Sequence, residues 1–325
     1  MRRINPGVPI YPVDDPRKAY DFTKRVVIAG GAGFLGRALA RYFVKQGWSV
    51  VILSRRAARE DVLIRTVVWD GRTVGEWKAE LEIADAVVNL TGRSVACLYT
   101  PENKREILAS RVDSVRAIAQ AWAKCTTRPP VIVQASSLAF YGDAGDRVCD
   151  EYSPPGTGFS VEVCQAWENA FFEQDNGPRE VVLRIGFVLG RNGGALEPLA
   201  KLARRFVGGA AGNGRQYISW LHINDFCAMV LWVINNQNAR TIYNACTPNP
   251  VTNAAFMRAL RKALGRPWSP PTPAWAVKLG ARHIMKADPS LALTGRRCVP
   301  RKSLEEGFVM KHTDLDATLR ELVKQ

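Results

Sequence analysis

Apolar positions along this chain come in two rhythms. Short runs such as Val26-Val27-Ile28 have no polar partner face, the pattern of strands buried on both sides of a parallel sheet. After the first run, Leu35, Leu39, Tyr42 and Phe43 recur at helical spacing until Gly47 ends the segment. Read this way, strands are expected over 25–29, 49–53, 66–69, 86–90, 131–135 and 181–185. Helices are expected over 101–123 and 160–173, the first opened by Thr100-Pro101-Glu102-Asn103 with proline at its first helical position. Strands and helices alternating at these lengths imply an α/β fold, a doubly wound parallel sheet with right-handed crossovers.

Beyond Gly190 the alternation breaks. Helices are expected over 196–206, 224–235, 252–264 and 314–323, with a proline-rich stretch over 266–273. Residues 191–325 therefore read as a smaller, irregular substrate lobe with one strand returning to the main sheet. The ligand cleft is expected at the carboxyl ends of the strands. Residues 1–23, with four prolines and no apolar period, read as an extended arm ahead of a nucleotide-binding domain over 24–190.

The first strand leads into Gly30, Gly31, Gly33 and Gly36, which satisfy G-x-G-x-x-G between a strand and a helix. A pyrophosphate can sit on the free N–H groups at a helix start only if no Cβ holds the backbone off. Gly30, Gly31 and Gly33 read as turn and phosphate contact. Gly36 reads as the position that lets helix and strand pack closely. The second strand ends in Ser54-Arg55-Arg56, and Arg55 lies 19 residues beyond Gly36, where an acidic residue would grip the ribose 2′-hydroxyl of NAD. Two guanidiniums favour the 2′-phosphate of NADP instead. The whole is a Rossmann-type dinucleotide unit with NADP(H) as its cofactor.

Composition adds bounds. A 325-residue chain that is 47% hydrophobic can build a large core, and no apolar run reaches membrane-spanning length. Seven cysteines with no C-x-x-C pair read as reduced thiols, and no signal-peptide core precedes the first strand. The expectation is a cytoplasmic protein, or a mitochondrial-matrix one in a eukaryotic cell. The net charge of +15 is read as dispersed, its densest groups being the pairs at 55–56, 204–205 and 296–297. Such a surface attracts anionic ligands such as NADP and argues against a nucleic-acid partner.

The order of motifs resembles the extended short-chain dehydrogenase/reductase superfamily, specifically its NAD(P)-dependent epimerase/dehydratase-like proteins. Asn89-Leu90-Thr91-Gly92, Ala135-Ser136-Ser137 with Phe140-Tyr141-Gly142, Arg184 to Gly190, and Trp220 to Asp225 all stand in the expected sequence. Thr100 to Lys104 with Ser110-Arg111, Cys164 to Glu168 and Pro273-Ala274-Trp275 are similar to an atypical branch that ends in a short domain of unknown function. To the glycine turn, with Phe34 and Leu35 at its helix start and Ser54, Arg55 and Arg56 beyond it, the resemblance adds Leu90, Thr91, Gly92 and Arg111 as cofactor contacts.

The family's usual relay is a serine with a Tyr-x-x-x-Lys on the next helix. Here Ser137 stands in the serine place, while Ser160 and Cys164 occupy the tyrosine and lysine positions. A hydroxyl and a neutral thiol supply neither the acidity of a phenol nor the field of an ammonium. Ser137 and Tyr141 are the catalytic candidates that remain. Cys164 reads as an inert buried thiol and His222 as structural. Two functions follow: an NADP(H)-binding oxidoreductase or epimerase-like protein acting on an unidentified small molecule, or a catalytically silent NADP-binding structural or redox-sensing protein.

Overall fold

The computed structural model describes residues 24–57, 63–173, 177–191, 193–266 and 268–324. The expected N-terminal arm lies outside them. Strands β1 (Lys24–Ala29), β2 (Trp48–Ser54), β3 (Ile64–Val68), β4 (Ala86–Asn89) and β5 (Val131–Ser137) join Arg179–Ile185 and Thr241–Ala245 in one seven-stranded sheet. Its order runs Thr241–Ala245, Arg179–Ile185, β5, β4, β1, β2, β3, and every pairing is parallel. The order reverses between β1 and β4, which places the crevice for a ligand at their carboxyl ends.

Two apolar layers explain why β1 needs no polar face. Val26 and Ile28 pack on one side with helix α1 (Phe34–Lys45) and the helix Ile223–Asn235. Val27 and Ala29 pack on the other with α2 (Pro101–Ala123) and α3 (Phe159–Phe172). Since side chains alternate across a strand, burial on both faces requires an unbroken apolar run.

The outer strand departs from expectation. β3 covers Ile64–Val68 rather than 66–69; Trp69 just beyond it still donates its N–H to the Ser54 carbonyl at 2.9 Å, while its ring lies 4.8 Å from that of Trp77 and its Nε1 donates to the Thr73 carbonyl. In the second lobe, helices Leu196–Arg204, Asn253–Ala263 and Leu315–Val323 share a separate core around Phe256, Leu260 and Leu319. The proline-rich stretch is followed by a helix, Ala274–His283, that the apolar rhythm does not announce.

Candidate functional site

β1 ends in a turn built on glycine. Gly30 has φ of +72°, and a Cβ on it would lie 2.9 Å from the backbone of Leu90 and Thr91. Gly31 faces Ile52, and a Cβ on Gly36 would collide with the backbone of Gly31. The tight contact of Gly36 is therefore with the turn itself. Gly33 differs from all three. A Cβ there would meet only the Gly30 carbonyl oxygen, at 3.6 Å, so the protein's own packing does not require glycine at this place. It faces open space where α1 begins, and α1 carries no side-chain cap and no acidic residue in its first turn. The N–H groups of Phe34, Leu35 and Gly36 open this helix without a side-chain cap, with the helix dipole behind them, an arrangement whose electrostatics favour negative charge.

The neighbouring strand ends at the same edge. The Gly30 N–H donates to the Leu53 carbonyl at 2.9 Å, tying the turn to the end of β2. Arg55 and Arg56 follow, both exposed, while Ser54 Oγ accepts from the Arg56 N–H at 3.3 Å and so shapes the loop.

On the other side of β1, Asn89 turns the chain as β4 ends. Its Nδ2 donates to Gln134 Oε1 at 2.9 Å and its Oδ1 accepts from the Thr91 N–H at 3.0 Å. Leu90 and Thr91 are thereby set against Gly30, and Thr91 Oγ1 is buried without a hydrogen-bond partner. A Cβ on the exposed Gly92 would lie 3.2 Å from Arg111 Cζ. Arg111 reaches in from α2, donating to the carbonyls of Ile107 and Arg93 and stacking 4.9 Å from the Trp167 ring centre. Among the described residues no carboxylate pairs with it. Its guanidinium is held by backbone carbonyls and an aromatic ring.

Ser137 is the last residue of β5, half-buried, and its Oγ accepts from the Ala139 N–H at 3.1 Å. Cys164 Sγ lies 3.8 Å from the Ser137 carbonyl oxygen. Burial, reinforced by Glu168 and offset in part by Arg111, pushes the Cys164 thiol up to about 11. The sequence shows no cation near this thiol; the structure supplies Arg111.

Tyr141, the second catalytic candidate read from the sequence, has a fully buried ring. Its hydroxyl donates to Asn244 Oδ1 at 2.8 Å and accepts from Arg184 Nη1 at 2.9 Å. Arg184 also makes a bidentate pair with Glu168, at 2.9 and 2.7 Å, and Ser136 Oγ donates to Glu168 Oε1 at 2.5 Å. Burial drives the Tyr141 phenol well above its ordinary value. Both hydrogen-bonding directions of its hydroxyl are taken within this buried polar network.

Sequence reasoning missed one phenol. Tyr99, just before α2, packs edge-on against Phe159 with ring centres 5.0 Å apart, beside Ser160 at the start of α3. Its hydroxyl is buried without a hydrogen-bond partner of good geometry. Burial raises its pKa, while Ser160 and Arg111 pull it back. No spacing rule could have joined it to residues sixty positions away.

His222 caps the helix Ile223–Asn235, its Nδ1 accepting from the Asn224 N–H at 3.0 Å. Its ring stacks on His312 at 3.8 Å, and its Nε2 lies 3.8 Å from a carboxylate oxygen of Glu321. In the neutral ring the capping bond puts the proton on Nε2, which takes that nitrogen away from a metal ion shared by the three residues.

The chain matches the NAD dependent epimerase/dehydratase family over residues 26–246 and a domain of unknown function, DUF1731, over 272–322. It is 32% identical to the epimerase family protein SDR39U1 of Bos taurus over 306 residues, 92% of this chain and 99% of that protein. The crystal structure of human epimerase family protein SDR39U1 with NADPH superposes with a TM-score of 0.82 at 29% identity, covering 92% of this chain and 98% of that one. A nucleoside-diphosphate sugar epimerase from Corynebacterium glutamicum has a TM-score of 0.74 at 28% identity, covering 94% of this chain and 59% of the other. The glycine turn, the parallel sheet and the strand-end residues thus sit within an established lineage, and the chain belongs to the NAD dependent epimerase/dehydratase family.

Proposed function

We propose that this chain binds NADP(H) and is an epimerase-like oxidoreductase for a small molecule. The observation that carries the reading is the uncapped start of α1 facing open space at Gly33, with no acid in its first turn and with Arg55 and Arg56 at the adjacent strand end. The SDR39U1 structure solved with NADPH supports the same choice of coenzyme. In this reading the first N–H groups of α1 hold the pyrophosphate, and Arg55 and Arg56 hold the 2′-phosphate. Thr91 and the unpaired Arg111 line the middle of the cleft. When bound, the nicotinamide supplies hydride chemistry at C4. Ser137 Oγ, already accepting from Ala139, keeps its own proton free to donate at the strand mouth.

A second reading, a catalytically silent NADP-binding protein, draws on the closure of the Tyr141 hydroxyl between Asn244 and Arg184. The two are separated by titrating NADPH into the protein and then following nicotinamide absorbance across a panel of aldehydes, ketones and quinones. Turnover that Ser137→Ala lowers, at unchanged NADPH affinity, supports the enzyme. Binding with no turnover anywhere on the panel favours the silent protein. No NADPH binding contradicts both.

A further inference from the structure

The positive charge is not spread evenly. Between residues 198 and 287 the chain carries twelve Lys and Arg against a single acid, Asp225, so this stretch supplies +11 of the net +15. Asp225 does not offset the surface: it is buried and accepts from the backbone N–H groups of Lys311 and His312. Of the basic residues, Arg204, Arg205, Lys278, Arg282 and Lys286 are exposed and have no carboxylate partner among the described residues.

The same segments expose large apolar side chains. Trp268 is 69% exposed, Trp275 70% and Ile284 84%, and Leu279 and Met285 are more than half open. Trp275 and Leu279 are four residues apart on the helix Ala274–His283 and so share a face. Lys278 and Arg282 flank that face, and the exposed run 282–286 carries the basic and apolar character past the helix end. Phe206 and Val207, also half open, lie on the strand of chain alongside. Ser269 Oγ donates to the Phe206 carbonyl at 2.8 Å, Arg266 stands over the Phe206 ring at 4.9 Å, and Gly212 and Thr272 are joined by a backbone hydrogen bond of 2.9 Å. One side of the second lobe is therefore apolar, aromatic and basic together, and the acid next along the chain, Asp288, is half-buried with its Oδ1 accepting from Ser290 Oγ at 2.6 Å.

We propose that this face docks on an anionic lipid bilayer. Trp268, Trp275, Leu279, Ile284 and Met285 enter the boundary between headgroups and acyl chains, and the five unpaired cations meet the headgroup phosphates. Exposed contiguous apolar surface marks an interaction site, and a basic rim with tryptophan and long aliphatic side chains is the composition of helices that lie in a membrane interface. A nucleic acid would use the cations and stack on the aromatic rings, yet it gives Leu279, Ile284 and Met285 nothing to enter. The attachment is peripheral: among the described residues no helix is long and apolar enough to cross a membrane.

The test uses the full chain with sucrose-loaded vesicles, one set of phosphatidylcholine alone and one of phosphatidylcholine mixed with phosphatidylglycerol carrying brominated acyl chains. The protein sediments with the anionic set and not with the neutral one, and added salt weakens the binding. Tryptophan emission is quenched by the brominated chains. Lys278→Gln with Arg282→Gln weakens binding roughly twenty-five-fold, about fivefold for each charge lost. Trp275→Ser with Ile284→Ser reduces the quenching, and circular dichroism of both variants matches the parent because all four side chains are exposed. A protein that ignores anionic vesicles at low salt overturns the proposal, as does binding that neither variant changes. Failure to bind vesicles together with tight, salt-sensitive binding to random RNA would assign the face to nucleic acid and overturn it equally.

Discussion

The two ends of the cleft are built on opposite principles. At the glycine turn the protein withholds its own groups: the N–H donors that open α1 have no side-chain cap, and among the described residues no side chain fills the space at Gly33. Under the end of β5 it does the reverse, and Ser136, Glu168, Arg184, Tyr141 and Asn244 satisfy one another in a buried chain of hydrogen bonds. Unspent hydrogen-bonding capacity marks the place where a ligand is received. Saturated capacity marks the place where the frame is held, however reactive its side chains look in sequence.

The contrast is broken first where the network is cut. Glu168→Ala removes the only carboxylate that Arg184 meets among the described residues, leaving a guanidinium 3% exposed without a counter-charge. Stability measured by urea denaturation should fall by about 3–5 kcal/mol. If it does not, the network is not what holds this end of the sheet. At the other end the expected effects exchange places. Gly33→Val should abolish NADPH binding in a titration, at least about a hundredfold, yet cost the fold no more than about 1 kcal/mol, since its Cβ meets only the Gly30 oxygen. A large loss of stability with affinity intact would mean that Gly33 serves the fold instead.

Two smaller effects sharpen the account. Cys164, with its pKa near 11, should resist iodoacetamide in the native protein at pH 8 and react once the chain is unfolded, as peptide mapping would show. Rapid native labelling would mean that Arg111 governs this thiol. His222 gives the mildest effect. Burial, and then the neighbouring His312, lower its pKa below the ordinary 6.5, so the unfolded chain binds the proton more readily. The stability it contributes is complete above that ordinary value and is lost as pH falls from it through the lowered value of the folded chain. His222→Asn keeps a helix cap and should flatten the pH dependence of urea unfolding between neutrality and pH 5. An unchanged slope would shift the cause to another group.

Both ends were unequally legible in the sequence, for physical reasons. Strands buried on two faces must be apolar throughout, so β1, β2 and β5 can be read from composition alone, and glycines forced by a turn can be read from spacing. Thr241–Ala245 hides because Tyr243 and Asn244 are polar and are satisfied only by distant partners, Glu306, Tyr141 and the Val299 carbonyl. The helix Ala274–His283 hides because it turns Trp275 and Leu279 outward, against the rule that apolar rhythm marks a core. The network around Tyr141 hides as well, because its partners stand 43 and 103 positions away and no local pattern connects them.

The central claim is that the open end receives NADP(H), and calorimetry on the two coenzymes tests it most directly. NADPH and NADH would be titrated at one fixed salt concentration into the parent protein, Arg55→Ala and Arg56→Ala, since ionic strength screens the contact. The parent should prefer NADPH, and losing an arginine that holds the 2′-phosphate should cost about 1.5 to 3 kcal/mol, roughly ten- to a hundredfold, with NADH nearly unaffected. Equal affinity of the parent for both coenzymes would contradict the claim.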